Sequence, residues 1–192
     1  MTDPFTSFFD RRWHLGKSVE ELVTANFEYA LLRCVESFNA WQQECLAAAS
    51  GHKMSATDNV VLHIIRMNDR PKTVTELARL MNRDDLSNIK YSIRKLLDAG
   101  LVEKVTESGR RKGTRYRTTA DGNMLTERFA ALRREQLIPS IGSIAEIQDR
   151  LAATTGVLNL VGGMYEQAAQ MIAFHRGPLE EDEGDGDDDP EV

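Results

Sequence analysis

Apolar residues recur every three or four positions along most of this chain, which is the spacing of amphipathic helices rather than of strands. The first such stretch predicts one long helix from about Val19 to Ala49, closed by Gly51. A second helix is predicted from about Ser55 to Asn68, and a short third one from Thr73 to Met81. The pattern therefore predicts a mainly helical chain that begins with an unusually long helix.

Helix starts carry a signature of their own, a hydroxyl residue followed three positions later by an acid. These two side chains can satisfy the free amide groups of a first helical turn. The signature occurs at Ser18/Glu21, Ser55/Asp58, Thr73/Glu76 and Ser143/Glu146. The fourth pair predicts a last helix from Ile144 to about His175, and a further helix is predicted from Thr119 to about Leu137.

An amphipathic helix is predicted to begin at Asp84 or Asp85 and to end at Ala99, because Gly100 favours helix termination. At 100° per residue its side chains divide into two faces. The apolar face holds Leu86, Ile89, Ile93, Leu96 and Leu97, and the polar face holds Ser87, Asn88, Tyr91, Arg94 and Lys95. One face is thus predicted to be core and the other to face solvent or a partner.

Two short strands are predicted next, over Leu101–Thr106 and Thr114–Thr118, around a turn that contains Arg110, Arg111 and Lys112. A helix, a turn, a second helix and a basic hairpin follow one another in the order of a winged helix-turn-helix. The predicted fold class is therefore mainly α with a small β-hairpin wing.

Charge is distributed very unevenly along the 192 residues, which carry a net charge of −6. Nine acids and no basic residue follow Leu179, so the first 179 residues carry +3. Between Arg83 and Arg117 ten basic residues outnumber five acids, which favours a polyanion as partner. The acidic end is predicted to be a disordered tail, either solvated or competing with DNA for the basic surface.

Several classes of protein are not favoured by the sequence. The chain has no apolar run of membrane-spanning length and its first residues do not resemble a secretory signal, so a cytoplasmic protein is predicted. It shows no Gly-rich phosphate loop, nucleophile elbow or paired catalytic carboxylates, so neither an enzyme nor a cofactor or metal is expected. His63 is interpreted as a core or pocket histidine. Cys34 and Cys45 are interpreted as packing residues, with a thiol sensor as the alternative.

Three stretches of the chain resemble the MarR (multiple antibiotic resistance) family of transcription regulators. They are Thr73 to Met81, Asp85 to Lys104 with its Gly-Leu-Val turn, and Arg115 to Gly122. The sequence departs from the family in the wing, where Arg110 stands at the place of a usual Asp. The resemblance implies a DNA-binding homodimer, in many members released by a small-molecule effector.

The sequence pattern and the resemblance together predict five segments. They are an N-terminal arm (1–17), a dimerisation helix (18–54), the winged helix-turn-helix domain (55–122), C-terminal dimerisation helices (123–178) and the acidic tail (179–192). Dimer contacts are expected from the first and last long helices, at Val23, Phe27, Val161, Met164 and Ala168. Pseudo-palindromic duplex DNA and a repressor role are expected.

Residues of the polar helix face and of the wing are the predicted DNA contacts. A major groove admits one helix, and short polar side chains can distinguish base edges there, which assigns Ser87, Asn88 and Tyr91 to bases. Lys90 and Arg94 lie at the flanks of this face, and Arg94 could reach a guanine edge or a phosphate. These two residues, Lys95 and the wing residues Arg110, Arg111, Lys112 and Arg115 are assigned to the DNA backbone. Thr73 is a further predicted contact. The alternative is a winged helix that binds protein and not DNA.

Overall fold

The computed structural model describes residues 14–50, 54–105 and 113–175 of the chain. The helices are α1 (Val19–Ser50), α2 (Ala56–Arg66), α3 (Val74–Leu80), α4 (Leu86–Asp98), α5 (Ala120–Leu132), α6 (Ile138–Gly142) and α7 (Ile147–His175). The strands are β1 (Lys72–Thr73), β2 (Val102–Val105) and β3 (Arg115–Thr118). The mainly helical prediction is confirmed. The N-terminal arm up to residue 13, the wing tip and the acidic tail lie outside the described residues.

Three of the four predicted capping pairs open a helix. At Ser18/Glu21, Ser55/Asp58 and Thr73/Glu76 the hydroxyl and the acid each accept a hydrogen bond from the other residue's amide group. The prediction at Ser143/Glu146 is wrong. Glu146 has a left-handed backbone (φ 56°), so it cannot belong to the first turn of a right-handed helix, and α7 begins only at Ile147.

The predicted hairpin is confirmed, and the structure adds a strand that the sequence pattern does not reveal. β1 pairs with β3, which also pairs with β2, so the antiparallel order is β1-β3-β2. Lys72 lies opposite Tyr116, and Glu103 lies opposite Arg117. A strand of two residues is too short to show alternation, so only its pairing with β3 defines it.

The helices α1 to α5 enclose one hydrophobic core. Its most buried side chains come from four of these helices and are Leu46, Val61, Leu62, Ile65, Leu77, Ile89, Ile93 and Leu96. This core belongs to a compact unit that extends to Ile138. Because α4 contributes three of these side chains, its buried face is fixed by the core.

A second unit begins at Pro139 and consists mainly of α7. None of the 29 residues of α7 is buried, although Leu160, Met164 and Ile172 are large and apolar. Val161 is half-buried and Ala168 is exposed. None of the described helices is apolar enough over a sufficient length to cross a membrane.

Candidate nucleic-acid interface

A tight turn joins α3 to α4. Asn82 adopts a left-handed conformation (φ 50°), which asparagine tolerates better than most residues, and the amide of Arg83 bonds to the carbonyl of Ala78 at 3.0 Å. Asp85 then caps α4 by accepting hydrogen bonds from the amides of Ser87 and Asn88. The turn and the cap together fix where α4 begins and therefore which residues its first turn presents.

The two faces of α4 are strongly different. Ile89, Ser92, Ile93 and Leu96 are buried, whereas the side opposite is exposed. The exposed residues include Ser87, Asn88, Lys90, Tyr91 and Arg94. The predicted division is wrong at Leu86, which is exposed because it opens the helix ahead of the buried stripe, and the burial of Ser92 is not predicted by the pattern.

Five of the predicted DNA contacts therefore share one exposed face of α4. Asn88 also donates a side-chain hydrogen bond to Asp85, so its amide is held close to the start of the helix. Within the described residues Lys90 and Arg94 form no ion pair. The structure thus brings together short polar groups, one aromatic ring and two cations on a helix that is anchored from behind.

Lys95 differs from these neighbours. Its ammonium forms an ion pair with Asp58 of α2, whose side chain is only 1% exposed. The ammonium also lies 5.8 Å from the centre of the Tyr91 ring. Lys95 is a predicted contact of the DNA backbone, and in the structure its ammonium is paired with this buried carboxylate.

Arg115 is likewise engaged inside the protein. Its guanidinium donates to the carbonyl of Pro71 at 3.0 Å and lies 3.4 Å from the carboxylate of Glu76, and the side chain is 18% exposed. Arg117 pairs across the sheet with Glu103 at 2.5 Å. Strand alternation predicts that both arginines present one free basic side, but each has an acidic partner that the sequence spacing does not show.

Thr73, a further predicted DNA contact, caps the start of α3. Its hydroxyl accepts from the amide of Glu76, while Glu76 accepts from the amide of Thr73 at 2.7 Å. These hydrogen bonds hold the pKa of Glu76 below its usual value, with the Arg115 charge as a further cause. Glu76 is therefore ionised and available to Arg115. Three of the basic residues predicted in the wing, Arg110, Arg111 and Lys112, lie outside the described residues.

Known proteins share both the domain and the wider fold. Residues 54–122 match the family model described as a winged helix DNA-binding domain. Over 77% of this chain and 95% of the other, the fold is similar to that of the Staphylococcus aureus MarR in complex with salicylate and kanamycin, with a TM-score of 0.61 at 14% identity. No curated protein sequence matches. The chain has the winged helix fold of MarR-family transcription regulators.

Two further solved structures that are similar to this chain contain DNA. The Mycobacterium tuberculosis regulator MosR in complex with DNA has a TM-score of 0.55 at 15% identity, covering 71% of this chain and 96% of its own. Streptococcus pneumoniae FabT in complex with DNA has a TM-score of 0.57 at 13% identity, covering 75% of this chain and 99% of its own. At these identities the likeness establishes the fold.

Lys72 is a feature of this MarR fold that the sequence reasoning missed. Its side chain is 0% exposed, and its ammonium donates to the carbonyls of Ile65, Met67 and Arg70. These are backbone groups at and beyond the end of α2, where carbonyls lack helical partners. Burial, followed by the Arg70 charge, holds the pKa of Lys72 below its usual value. Lys72 thereby ties the end of α2 to the first strand of the wing sheet.

A polar and aromatic cluster lies among α1, α2 and α5 of the MarR fold. The Asn59 amide donates to the Gln42 carbonyl at 3.0 Å, and the rings of Trp41 and His63 both pack edge-on against Phe129. Three buried polar atoms of the cluster have no hydrogen-bond partner among the described residues. They are Gln42 Nε2, Asn59 Oδ1 and His63 Nε2. Such atoms usually bind water or a ligand.

His63 makes the stability of this fold depend on pH. Burial lowers its pKa below 6.5, and the Arg66 charge acts in the same direction. The unfolded chain therefore binds a proton at a higher pH than the folded chain does, so stability present above about pH 6.5 is lost as pH falls toward the folded pKa. We expect urea unfolding of His63→Gln to show a smaller loss between pH 7 and pH 5 than the parent. Equal losses would contradict this assignment.

The two cysteines occupy different surroundings. Cys34 is exposed, whereas Cys45 is buried and its thiol lies 3.8 Å from the carbonyl of Phe129. Burial raises the pKa of Cys45. Eleven residues of helix separate the two by about 16 Å, too far for a disulfide within one chain. No group of acids, His and Cys that could hold a metal occurs in the described part of the chain.

Proposed function

We propose that this protein is a DNA-binding transcription regulator that acts in the cytoplasm, as a repressor, and reads duplex DNA with the exposed face of α4. The observation that carries the proposal is this face itself. Ser87, Asn88 and Tyr91 stand beside Lys90 and Arg94, and the opposite side of the same helix is anchored in the core. Short polar groups suit base edges and the flanking cations suit phosphates.

A homodimer is the second part of the proposal. In α1 the apolar residues Val19, Val23 and Phe38 are more than half exposed, and α7 buries nothing although it is rich in large apolar side chains. Exposed apolar area of this extent favours association. A second copy of the chain is the partner that the resemblance implies. Two copies related by a two-fold axis would read an inverted repeat with half-sites about one helical turn apart.

Control by a small-molecule effector is the third part. The solved S. aureus MarR with the same fold is described in complex with salicylate and kanamycin. In this chain the unpartnered atoms of Gln42, Asn59 and His63 offer hydrogen bonds beside two aromatic rings, which is the mixed lining of a typical ligand site. Any such ligand would touch α1, α2 and α5 and could alter their packing.

The wing basics provide the first test of DNA binding. We expect the double change Arg110→Ala and Arg111→Ala to weaken binding to every duplex, because both cations are assigned to the sugar-phosphate backbone. Each lost phosphate contact should lower the slope of log K against log salt by about 0.9. The measurement is a titration of duplex DNA between low and moderate salt. An unchanged slope in the double variant would remove the wing from the proposed interface.

Asn88 provides the second test, and it concerns sequence rather than charge. We expect Asn88→Ala to change base preference at one position of each half-site, at a cost of about 1–3 kcal/mol for the preferred base, with the salt slope unchanged. Selection of bound duplexes from a random pool measures the preference. If the parent protein binds no duplex even at low salt, DNA binding is wrong and the protein-binding alternative takes its place.

The thiol sensor remains a third testable idea within the same class. Cys34 is the exposed thiol, so its replacement by serine should abolish any effect of peroxide on DNA binding. Cys45 is shielded from solvent and serves as the matched control. Peroxide sensitivity that survives in Cys34→Ser would exclude this residue as the sensor.

A further inference from the structure

The cations of α4 are not equivalent. Lys90 and Arg94 lie on its exposed face, whereas the ammonium of Lys95 turns toward α2 and binds Asp58. The Lys95 side chain remains 35% exposed, so the ion pair sits at the boundary between the core and the surface. One of the three positive charges that the α4 sequence offers is therefore compensated before any DNA arrives.

Asp58 is held from several sides. Its Oδ2 accepts the amide of Ser55 at 2.9 Å and also the Lys95 ammonium, and the hydroxyl of the buried Ser92 bonds to the same carboxyl group. Burial raises the pKa of Asp58, but the hydrogen bonds from Lys95, Ser55 and Ser92 outweigh it and leave the pKa below its usual value. The carboxylate is therefore charged at neutral pH.

The burial of the Asp58 carboxylate makes this ion pair costly to break. Removing the ammonium would leave an uncompensated charge inside the protein, which costs far more than breaking an exposed pair. Lys95 is thus not free to swing toward a phosphate. A surface lysine such as Lys90 carries no comparable restraint within the described residues.

The held Lys95 ammonium also lies close to a side chain on the exposed face of α4. The Lys95 ammonium lies 5.8 Å from the centre of the Tyr91 ring, one helical turn earlier, and Tyr91 is 58% exposed. A cation over a ring favours one orientation of that ring. Contacts therefore run from buried Asp58 through Lys95 to a side chain of the proposed base-reading face.

We propose that Asp58 is a positioning residue for DNA reading: it fixes Lys95 between α2 and α4, orients Tyr91 through it, and withdraws the Lys95 charge from the phosphate-binding surface. This inference rests on the proposed function and divides the cations of α4 into two groups. Lys90 and Arg94 bind DNA. Lys95 determines how the helix presents Tyr91.

The salt dependence of binding to a mixed-sequence duplex tests the charge part, with the full-length chain. Lys95→Met should leave the slope of log K against log salt unchanged, because its ammonium contacts no phosphate, although the stability of the protein should fall since the buried Asp58 carboxylate is left unpaired. Asp58→Asn should steepen the slope by about 0.9 per subunit, because the released ammonium gains access to phosphate. The double variant should return to the parental slope, and Lys90→Met is the matched control expected to flatten it. A flatter slope in Lys95→Met, or an unchanged slope in Asp58→Asn, would overturn the proposal.

Base preference tests whether Asp58 positions Tyr91, because an Asp58–Lys95 ion pair with a purely structural role would not change it. Selection from a random duplex pool should show Asp58→Asn and Tyr91→Ala altering preference at the same base positions. Lys95→Arg, which retains a cation, should keep the parental preference. Changes at different positions, or none in Asp58→Asn, would separate Asp58 from base reading and refute its positioning role.

Unfolding measurements without DNA test the Asp58–Lys95 ion pair independently of the proposed DNA binding. In denaturant unfolding at one protein concentration, the effects of Asp58→Asn and Lys95→Met should be coupled by about tenfold in the equilibrium constant. Independent effects would refute the ion pair whether or not DNA binds. Strong coupling in a parent protein that binds no duplex would instead refute the proposed function, and with it the positioning role.

Discussion

Gly122→Ala is expected to be among the most damaging single changes in this domain. A Cβ atom at Gly122 would lie 2.0 Å from the carbonyl oxygen of Leu101, far closer than any real contact. The obstacle is backbone, which cannot rotate away as a side chain can. We expect a loss of at least about 3 kcal/mol in the free energy of unfolding. Thermal unfolding should show a melting temperature lower by about 10 °C.

The close approach at Gly122 has a clear structural reason. The Leu101 carbonyl accepts the amide of Thr119 at 3.0 Å, and the Thr119 hydroxyl donates to the carbonyl of Gly100 at 2.7 Å. The start of α5 is therefore drawn directly against the segment that follows α4. An alanine in this joint must push α5 away from it and break both hydrogen bonds.

Gly100 supplies the matched control. It has φ +68°, and a Cβ atom at this position would have no neighbour within 4 Å, so Gly100→Ala meets backbone strain without a collision. A loss of about 1 kcal/mol is expected. If the two alanine variants lost similar stability, the steric account of Gly122 would be wrong.

Lys72→Ala is the second change with a large expected effect. It removes a fully buried stem and leaves the carbonyls of Ile65, Met67 and Arg70 without their shared donor. Cavity formation and lost charge-assisted hydrogen bonds together predict a loss of about 4 kcal/mol. Denaturant unfolding measures this loss, and DNA affinity should fall with it because β1 no longer holds the wing sheet.

A methionine at position 72 separates the two contributions. It fills nearly the same volume as the lysine stem but donates no hydrogen bond, so Lys72→Met should cost only about 1–2 kcal/mol. Equal losses in the alanine and methionine variants would mean that the ammonium carries the whole effect. A neutral Lys72→Met would mean that the carbonyls find water instead.

Periodicity predicts the helices well because each must bury one face. The predicted first helix, Val19 to Ala49, agrees with α1 to within one residue, and the polar face of α4 is predicted correctly at Ser87, Asn88, Tyr91 and Arg94. These features are local, since the position of a residue along a helix decides which way it points.

The partners of charged residues could not be predicted in the same way. Asp58 and Lys95 are 37 residues apart and Glu76 and Arg115 are 39 apart, so no spacing rule joins them. A lysine after Pro71 also gives no sign that it will be buried against three carbonyls. The sequence pattern therefore predicted the exposed polar face of α4, but it did not reveal that Lys95 and Arg115 have acidic partners.

The contacts of this sheet limit how the proposed regulator can adapt to DNA. Thr73 ends β1 and also caps α3, while Arg115 of β3 is bound to Glu76 in the first turn of that helix. Strands β1 and β3 and helix α3 are therefore held together as one unit. In the proposed dimer, a target whose half-sites are moved apart by a base pair or two would therefore require movement of whole subunits, and the contacts between the two subunits would decide which of such targets is bound.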